Sequence, residues 1–177
     1  MASEGMRKGL HGTVRRYLPE IVYGANDGVV TTLAVIASVV GADLPASIIL
    51  ILGFANLFAD GVSMAASDVL SERSRPDAPL TLRRAARHGV ATFVGFLAAG
   101  FVPLTAYLAP GIGVDARFWL AVALAGATLF GVGAGRAFFA DRGFLRAGIE
   151  MLLIGAGAGG IAYGIGSLGS MIAGPVA

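Results

Sequence analysis

The fold class predicted here is all-α: a polytopic membrane protein with five transmembrane helices. Three observations carry it. Of the 177 residues, 56% are hydrophobic and only 14% charged, against roughly 25% charged in soluble domains. With a mean hydropathy of +0.78, the chain has more apolar surface than one soluble core of this size can bury. The apolar residues also fall into five runs of about 20 residues, the length that crosses a bilayer as a helix with every backbone group satisfied internally. The third observation is charge placement, because 12 of the 13 Lys and Arg residues lie in alternate connections between these runs.

The first 18 residues are polar and basic, with Arg7, Lys8, Arg15 and Arg16 and no apolar run of their own. They read as a cytoplasmic amino-terminal segment rather than a cleaved signal peptide, which needs an apolar core directly after its charges. Residues 19–170 form the transmembrane domain, with spans at 20–41, 46–70, 88–109, 117–139 and 146–168. Pro19 fits the first turn of span one, where its missing N–H costs no hydrogen bond. Gly41 to Pro45 leaves room only for a tight hairpin between spans one and two, so those two helices are expected to pack together. Pro103 predicts a kink in span three. The glycine clusters at 131–135, 155–160 and 164–169 predict close helix approach.

Orientation follows from the basic residues. Four lie in the amino-terminal segment, five (Arg73, Arg75, Arg83, Arg84, Arg87) between spans two and three, and three (Arg136, Arg142, Arg146) between spans four and five; Arg117 alone lies on the other side. The positive-inside rule places the amino terminus in the cytoplasm and the carboxyl terminus outside. The same distribution explains the pI near 9.4 without nucleic acid as a partner. Tyr17, Tyr107, Trp119 and Tyr163 fall near predicted interfaces, as an aromatic belt would. An odd number of spans cannot hold two complete inverted halves, and a pathway is more easily enclosed where two chains meet, so a homodimer is expected.

Function is sought in span two, where Asn56, Asp60, Met64, Asp68 and Glu72 recur every fourth residue. Four residues advance a helix by about 400°, so these side chains form one slowly drifting stripe. Carboxylates are costly in hydrocarbon and normally face a cavity, a partner or a bound ion. In span one, Glu20 and Asp27 share a face. From the cytoplasmic end Asp27 lies roughly 10 Å deep, Met64 roughly 9 Å and Asp60 roughly 15 Å. A cluster of Asp27, Asp60, Met64 and Asp68, with Asn56 deeper and Glu20 and Glu72 toward the cytoplasm, is geometrically accessible. Hard carboxylate oxygens with one thioether suit a divalent first-row ion. The same acids bind protons when the ion leaves. A structural alternative has Asp60 and Asp68 bridging helices and Met64 filling the bundle.

Other signals are weaker. Glu150 follows Arg146 by four residues and reads as an interfacial ion pair. His11 and His88 read as surface residues outside the spans. With no cysteine there is neither a disulfide framework nor a thiolate site. No nucleotide-binding glycine loop, zinc-protease motif or nucleophile elbow is present, so the chain is expected not to be an enzyme and to need no cofactor.

At YGANDGVVTTLAVIASVVGA (23–42) and ADGVSMAASDVLSERS (59–74) the sequence resembles the vacuolar iron transporter family, VIT-like membrane proteins; IEMLLIGAGAGGIAYGIG (149–166) is a looser match. The resemblance implies a dimeric five-helix antiporter that moves Fe²⁺, and often Mn²⁺, out of the cytosol in exchange for protons. Asp27 would be its pathway aspartate and Met64 its pathway methionine. Asn56 stands where members often carry an acid, so Asp60 or Asp68 would compensate. The glutamate-rich cytoplasmic domain found in some members between spans two and three is replaced by Ser71 to Arg87, so the resemblance is to a short membrane-only form in a cell membrane. A carrier or channel for another small cation, and a non-transporting membrane scaffold, remain the alternatives.

Overall fold

The computed structural model describes residues 2–76, 79–137 and 143–174, with side chains from Arg16 onward. Five helices follow in order: α1 (Ala2–Gly41), α2 (Ala46–Arg73), α3 (Leu82–Leu108), α4 (Val114–Ala137) and α5 (Phe144–Ala173). Each is long and apolar enough to cross a membrane, α1 over Arg16–Gly41. Expected and observed spans agree within a few turns; residues 138 and 139, expected in span four, and Asp77 and Arg142 lie outside what is described, as does the side chain of His11.

Helix α1 differs at its start. It runs unbroken from Ala2, so Pro19 sits inside it rather than in a first turn. An interior proline removes one i→i−4 hydrogen bond. The hairpin after α1 is as tight as expected: the Ala42 and Leu44 amides bond back to Ser38 (2.9 Å) and Val39 (3.1 Å). Asp43 takes a left-handed φ of 55°, which short polar side chains tolerate. Pro45 then caps α2, and the Ser74 amide closes it on the Leu70 and Ser71 carbonyls.

Helices α1 and α3 form the centre. Half of each spanning window is buried, against 22% for α2, 28% for α4 and 11% for α5. Helix α2 packs chiefly on α3 and less on α1, while α5 packs on α1 and α4. Two cores result. One joins Ile36, Ile49, Leu57, Phe96 and Leu104 across α1, α2 and α3. The other joins Ala25, Val29, Leu33, Ala125, Leu129 and Met151 across α1, α4 and α5. The outer faces of α2 and α5 expose Ile51, Phe58, Val62, Leu153, Ile161 and Ile165, as lipid-facing surfaces do.

The α1–α3 seam depends on Gly24 and Gly28. A Cβ on Gly24 would be driven into the Thr92 carbonyl oxygen, and one on Gly28 into that of Phe96. The contact is backbone on backbone, as small-x3-small pairs permit. Among the clusters singled out from sequence, Gly133, Gly155 and Gly166 do meet neighbouring helices. Gly131, Gly157, Gly160 and Gly164 face open space. Tyr107, expected in the aromatic belt, is 5% exposed and packs in the first core; Trp119 and Tyr163 are exposed as expected.

Candidate metal site

Antiparallel succession brings the arginine-rich segments to one end of the bundle, and the acids of α1 and α2 lie in the half next to it. Asp27 and Asp60 are close enough for the Asp60 charge to act directly on the Asp27 carboxyl. Two carboxylates near one another between apolar helices repel, and the repulsion is relieved by a proton or a cation. Asp27 immediately precedes Gly28, so the seam that fixes α1 against α3 also fixes the backbone carrying this carboxylate.

The remaining acids of the constellation have partners in the chain. Glu20 Oε1 lies 2.5 Å from His88 Nδ1, and the Tyr17 ring meets the His88 ring edge-on at 4.9 Å. The second oxygen, Glu20 Oε2, is buried with no hydrogen-bond partner. Asp68 Oδ2 accepts a 2.7 Å hydrogen bond from Thr92 Oγ1, and Thr92 is 1% exposed. Glu72 is buried and held by Arg75 at 2.5 Å. Met64 packs against the first core, and Asn56 is half-buried at the deep end of the stripe. Among the described residues no three His, Asp or Glu side chains gather as a metal-binding group.

Helix α2 leaves part of this polar stripe uncovered. Ser63 and Ser67 are exposed, and Asn56 and Asp60 half-exposed; positions 56, 60, 63 and 67 fall within about 60° of one another on a helix. The α1–α2–α3 junction can therefore present carboxylate, hydroxyl and amide groups along one side of a membrane helix.

Two contributors were missed from sequence. His88 is no surface residue: it is largely buried, inside α3, and paired with Glu20. Thr92 lies one turn further on the same face. Their i, i+4 spacing in an otherwise apolar helix was the available signal. Glu150, expected to pair with Arg146 on its own helix, binds Arg136 of α4 at 2.9 Å.

The model of the VIT family matches residues 18–85 and 76–167, which takes in all five membrane-spanning helices and each residue of this junction. The chain belongs to the VIT family. Among curated proteins it is similar to the "Vacuolar iron transporter" of Toxoplasma gondii, 41% identical over 61 residues, 34% of this chain and 20% of that protein. It is also similar to the proteins of that name from Plasmodium berghei (32% over 74 residues, 42% and 27%) and Plasmodium falciparum (33% over 67 residues, 38% and 24%). The aligned part thus spans about a quarter or less of these VIT relatives' length.

Proposed function

We propose that this VIT-family chain carries a divalent transition metal, Fe²⁺ with Mn²⁺ as a second substrate, out of the cytosol in exchange for protons. The observation that carries the reading is the placement of Asp27 and Asp60 on adjoining helices α1 and α2, near enough for one charge to act on the other, inside a bundle of five membrane-spanning helices. Metal bound there displaces protons from the pair, and protons arriving from the other side release the metal. Met64 supplies a soft ligand that favours first-row ions over Mg²⁺. Asp68, one turn deeper than Glu72, has its carboxylate fixed by Thr92, and Asn56 lies deepest.

A second copy of the chain completes the site in this reading. One chain offers two neighbouring carboxylates, and the partly uncovered stripe of Asn56, Asp60, Ser63 and Ser67 is costly against lipid. A homodimer through the α1–α2 edge covers the stripe and doubles the ligands. The arginine-rich end faces the cytoplasm of a cell membrane. Cysteines replacing Ser3 and Ser74 then react with a cytoplasmic thiol reagent, and one replacing Ala177 with an external one.

The test is reconstitution of wild type and Asp27→Asn in sealed vesicles at equal amounts of folded protein. A proton gradient is imposed while Fe²⁺ or Mn²⁺ influx and lumenal pH are followed together. Both fluxes fall to background in Asp27→Asn, which removes the charge and the proton carrier at nearly constant size. Met64→Leu retains proton movement and loses preference over Mg²⁺. Metal flux without proton flux in wild type would make the chain a channel, and unimpaired exchange by Asp27→Asn would remove that residue from the mechanism.

A further inference from the structure

Helix α3 begins with a conflict between charge and position. Arg83, Arg84 and Arg87 stand exposed in its first two turns, although the amino-terminal end of a helix disfavours cations. No acid stands in the first turn to offset them. Among the described residues, the ion pairs at this end of the bundle join Glu72 to Arg75, Glu20 to His88 and Glu150 to Arg136. None of these pairs takes up an arginine of α3. A negative group from outside the chain would offset both the guanidinium charges and the helix end.

The same face continues into the apolar part of the helix. Arg83, Arg87, Val90, Val94 and Phe101 fall within about 60° of one another, and the three apolar members are exposed. Val90 and Val94 lie roughly 5 and 10 Å beyond Arg87 along the axis, within one leaflet of a hydrocarbon core about 30 Å thick. Phe101 ends the column, its ring 5.8 Å from that of Phe54 on α2. Arg84 flanks the arginine pair, about 100° round from Arg83. The positive-inside rule asks only that arginines lie at this end; it does not ask that two of them head a column of exposed apolar side chains. A free anion would leave that column unused, and a hydrocarbon would leave the guanidiniums unmatched. A headgroup without net charge would leave them unneutralised.

We propose that this face of α3 binds an anionic phospholipid, one whose headgroup carries net negative charge. Its phosphate oxygens accept hydrogen bonds from Arg83 and Arg87, with Arg84 beside them, and one acyl chain lies along Val90 and Val94 toward Phe101. Arginine suits the phosphate because its planar fork binds two oxygens at once. Basic clusters next to a membrane helix attract anionic headgroups, and the attraction fades within about a Debye length. The site is separate from Asp27 and Asp60, and its occupancy does not depend on which ion the bundle moves. Bound there, the lipid neutralises the start of the helix on which α1 is seated.

The experiment uses the whole chain in micelles loaded with equal amounts of dioleoyl phosphatidylglycerol and dioleoyl phosphatidylcholine. Lipid retained after graded washing is counted by native mass spectrometry. Wild type is expected to keep phosphatidylglycerol in preference to phosphatidylcholine. Arg83→Gln and Arg87→Gln should each lower that retention by about fivefold, the effect of one basic residue at a membrane surface. Arg146→Gln, an equal change of charge at the start of α5, should not lower it. Inorganic phosphate at the concentration of the lipid should not displace it, and displacement would make this a site for a free oxyanion instead. Equal retention of the two lipids by wild type would overturn the charge argument, and an equal loss in Arg146→Gln would overturn the assignment to α3. Unfolding midpoints are read in lipid-free micelles, where removing either arginine should leave the midpoint unchanged or raise it. A lower midpoint would mean that the arginines hold the fold rather than a lipid, and unchanged retention in both variants would remove the site altogether.

Discussion

Adding one methyl group at Gly28 should separate the two central helices. Its Cβ would lie 2.9 Å from the Phe96 carbonyl carbon and 3.0 Å from the Phe96 Cα, and closer still to the oxygen. All three are backbone atoms, so no rotamer change relieves the clash, and α1 must move from α3 by roughly 0.5–1 Å to restore ordinary contact. A radial gap of that size forfeits about a quarter to a half of each dispersion well it opens. Overpacking of this kind costs about 1–3 kcal/mol, and Gly28→Ala belongs toward the upper end because the seam also carries the Gly24–Thr92 contact. Gly131→Ala is the matched control: nothing lies within 4 Å of its Cβ, and replacing a helical glycine gains up to about 1 kcal/mol. Reversible unfolding in mixed micelles, followed by helical circular dichroism, reads both. Gly28→Ala as stable as wild type, or less stable Gly131→Ala, would refute the close α1–α3 seam.

Thr92→Val removes the hydroxyl that holds Asp68 at nearly constant volume and should lower stability by about 1.5–3 kcal/mol, the worth of a hydrogen bond to a charged group; Thr92→Ser should recover most of it. His88→Leu leaves the Glu20 carboxylate with no partner and should cost about 2–3 kcal/mol in the same unfolding assay, whereas the double variant Glu20→Leu/His88→Leu returns toward wild type because both polar partners are gone. Spin labels at Leu52 of α2 and Leu168 of α5 should change separation when Mn²⁺-free protein is taken from low to high pH in nanodiscs, while labels at Tyr23 of α1 and Val94 of α3 hold theirs; movement of the second pair alone would contradict a fixed α1–α3 frame.

The helices were legible because their signal is repeated many times over: each span is a long run of apolar residues, and its ends are marked by arginine clusters or by Pro45. Packing partners were not. The glycine clusters near the carboxyl terminus looked the most densely small, yet several of them face open space, whereas the decisive pair sits in YGANDG, where Asp27 draws the eye. Small size permits close approach but does not say to which helix. His88 shows another limit. Its pairing with Glu20 joins residues 68 positions apart, and no local pattern encodes such a contact. The Asp27–Asp60 proximity was legible, since a short hairpin forces α1 and α2 to run back along one another.

Polarity within the bundle is lopsided. The spanning acids described, from Glu20 to Asp68, lie between the middle of the membrane and the arginine-rich end. In the other half three hydroxyls are turned onto backbone, Ser38 to Val35, Thr105 to Val102 and Ser167 to Gly41, while the Tyr107 hydroxyl is buried without a hydrogen-bond partner. Such bonds satisfy the hydroxyls locally and leave them poorly available to an ion. Under the proposed exchange, a metal can be received from the arginine-rich side as the helices stand, and its release to the other side requires them to part. The glycine seam makes α1 and α3 the least able to do so, since their contact is backbone against backbone. Helix α2 meets its neighbours with little of its surface, carries Asp60, and is joined to α1 through a hairpin in which Asp43 already holds a left-handed φ. Movement of α2 against the fixed pair would alter the distance between Asp60 and Asp27, so the carboxylate repulsion that a bound metal relieves can itself drive the opening.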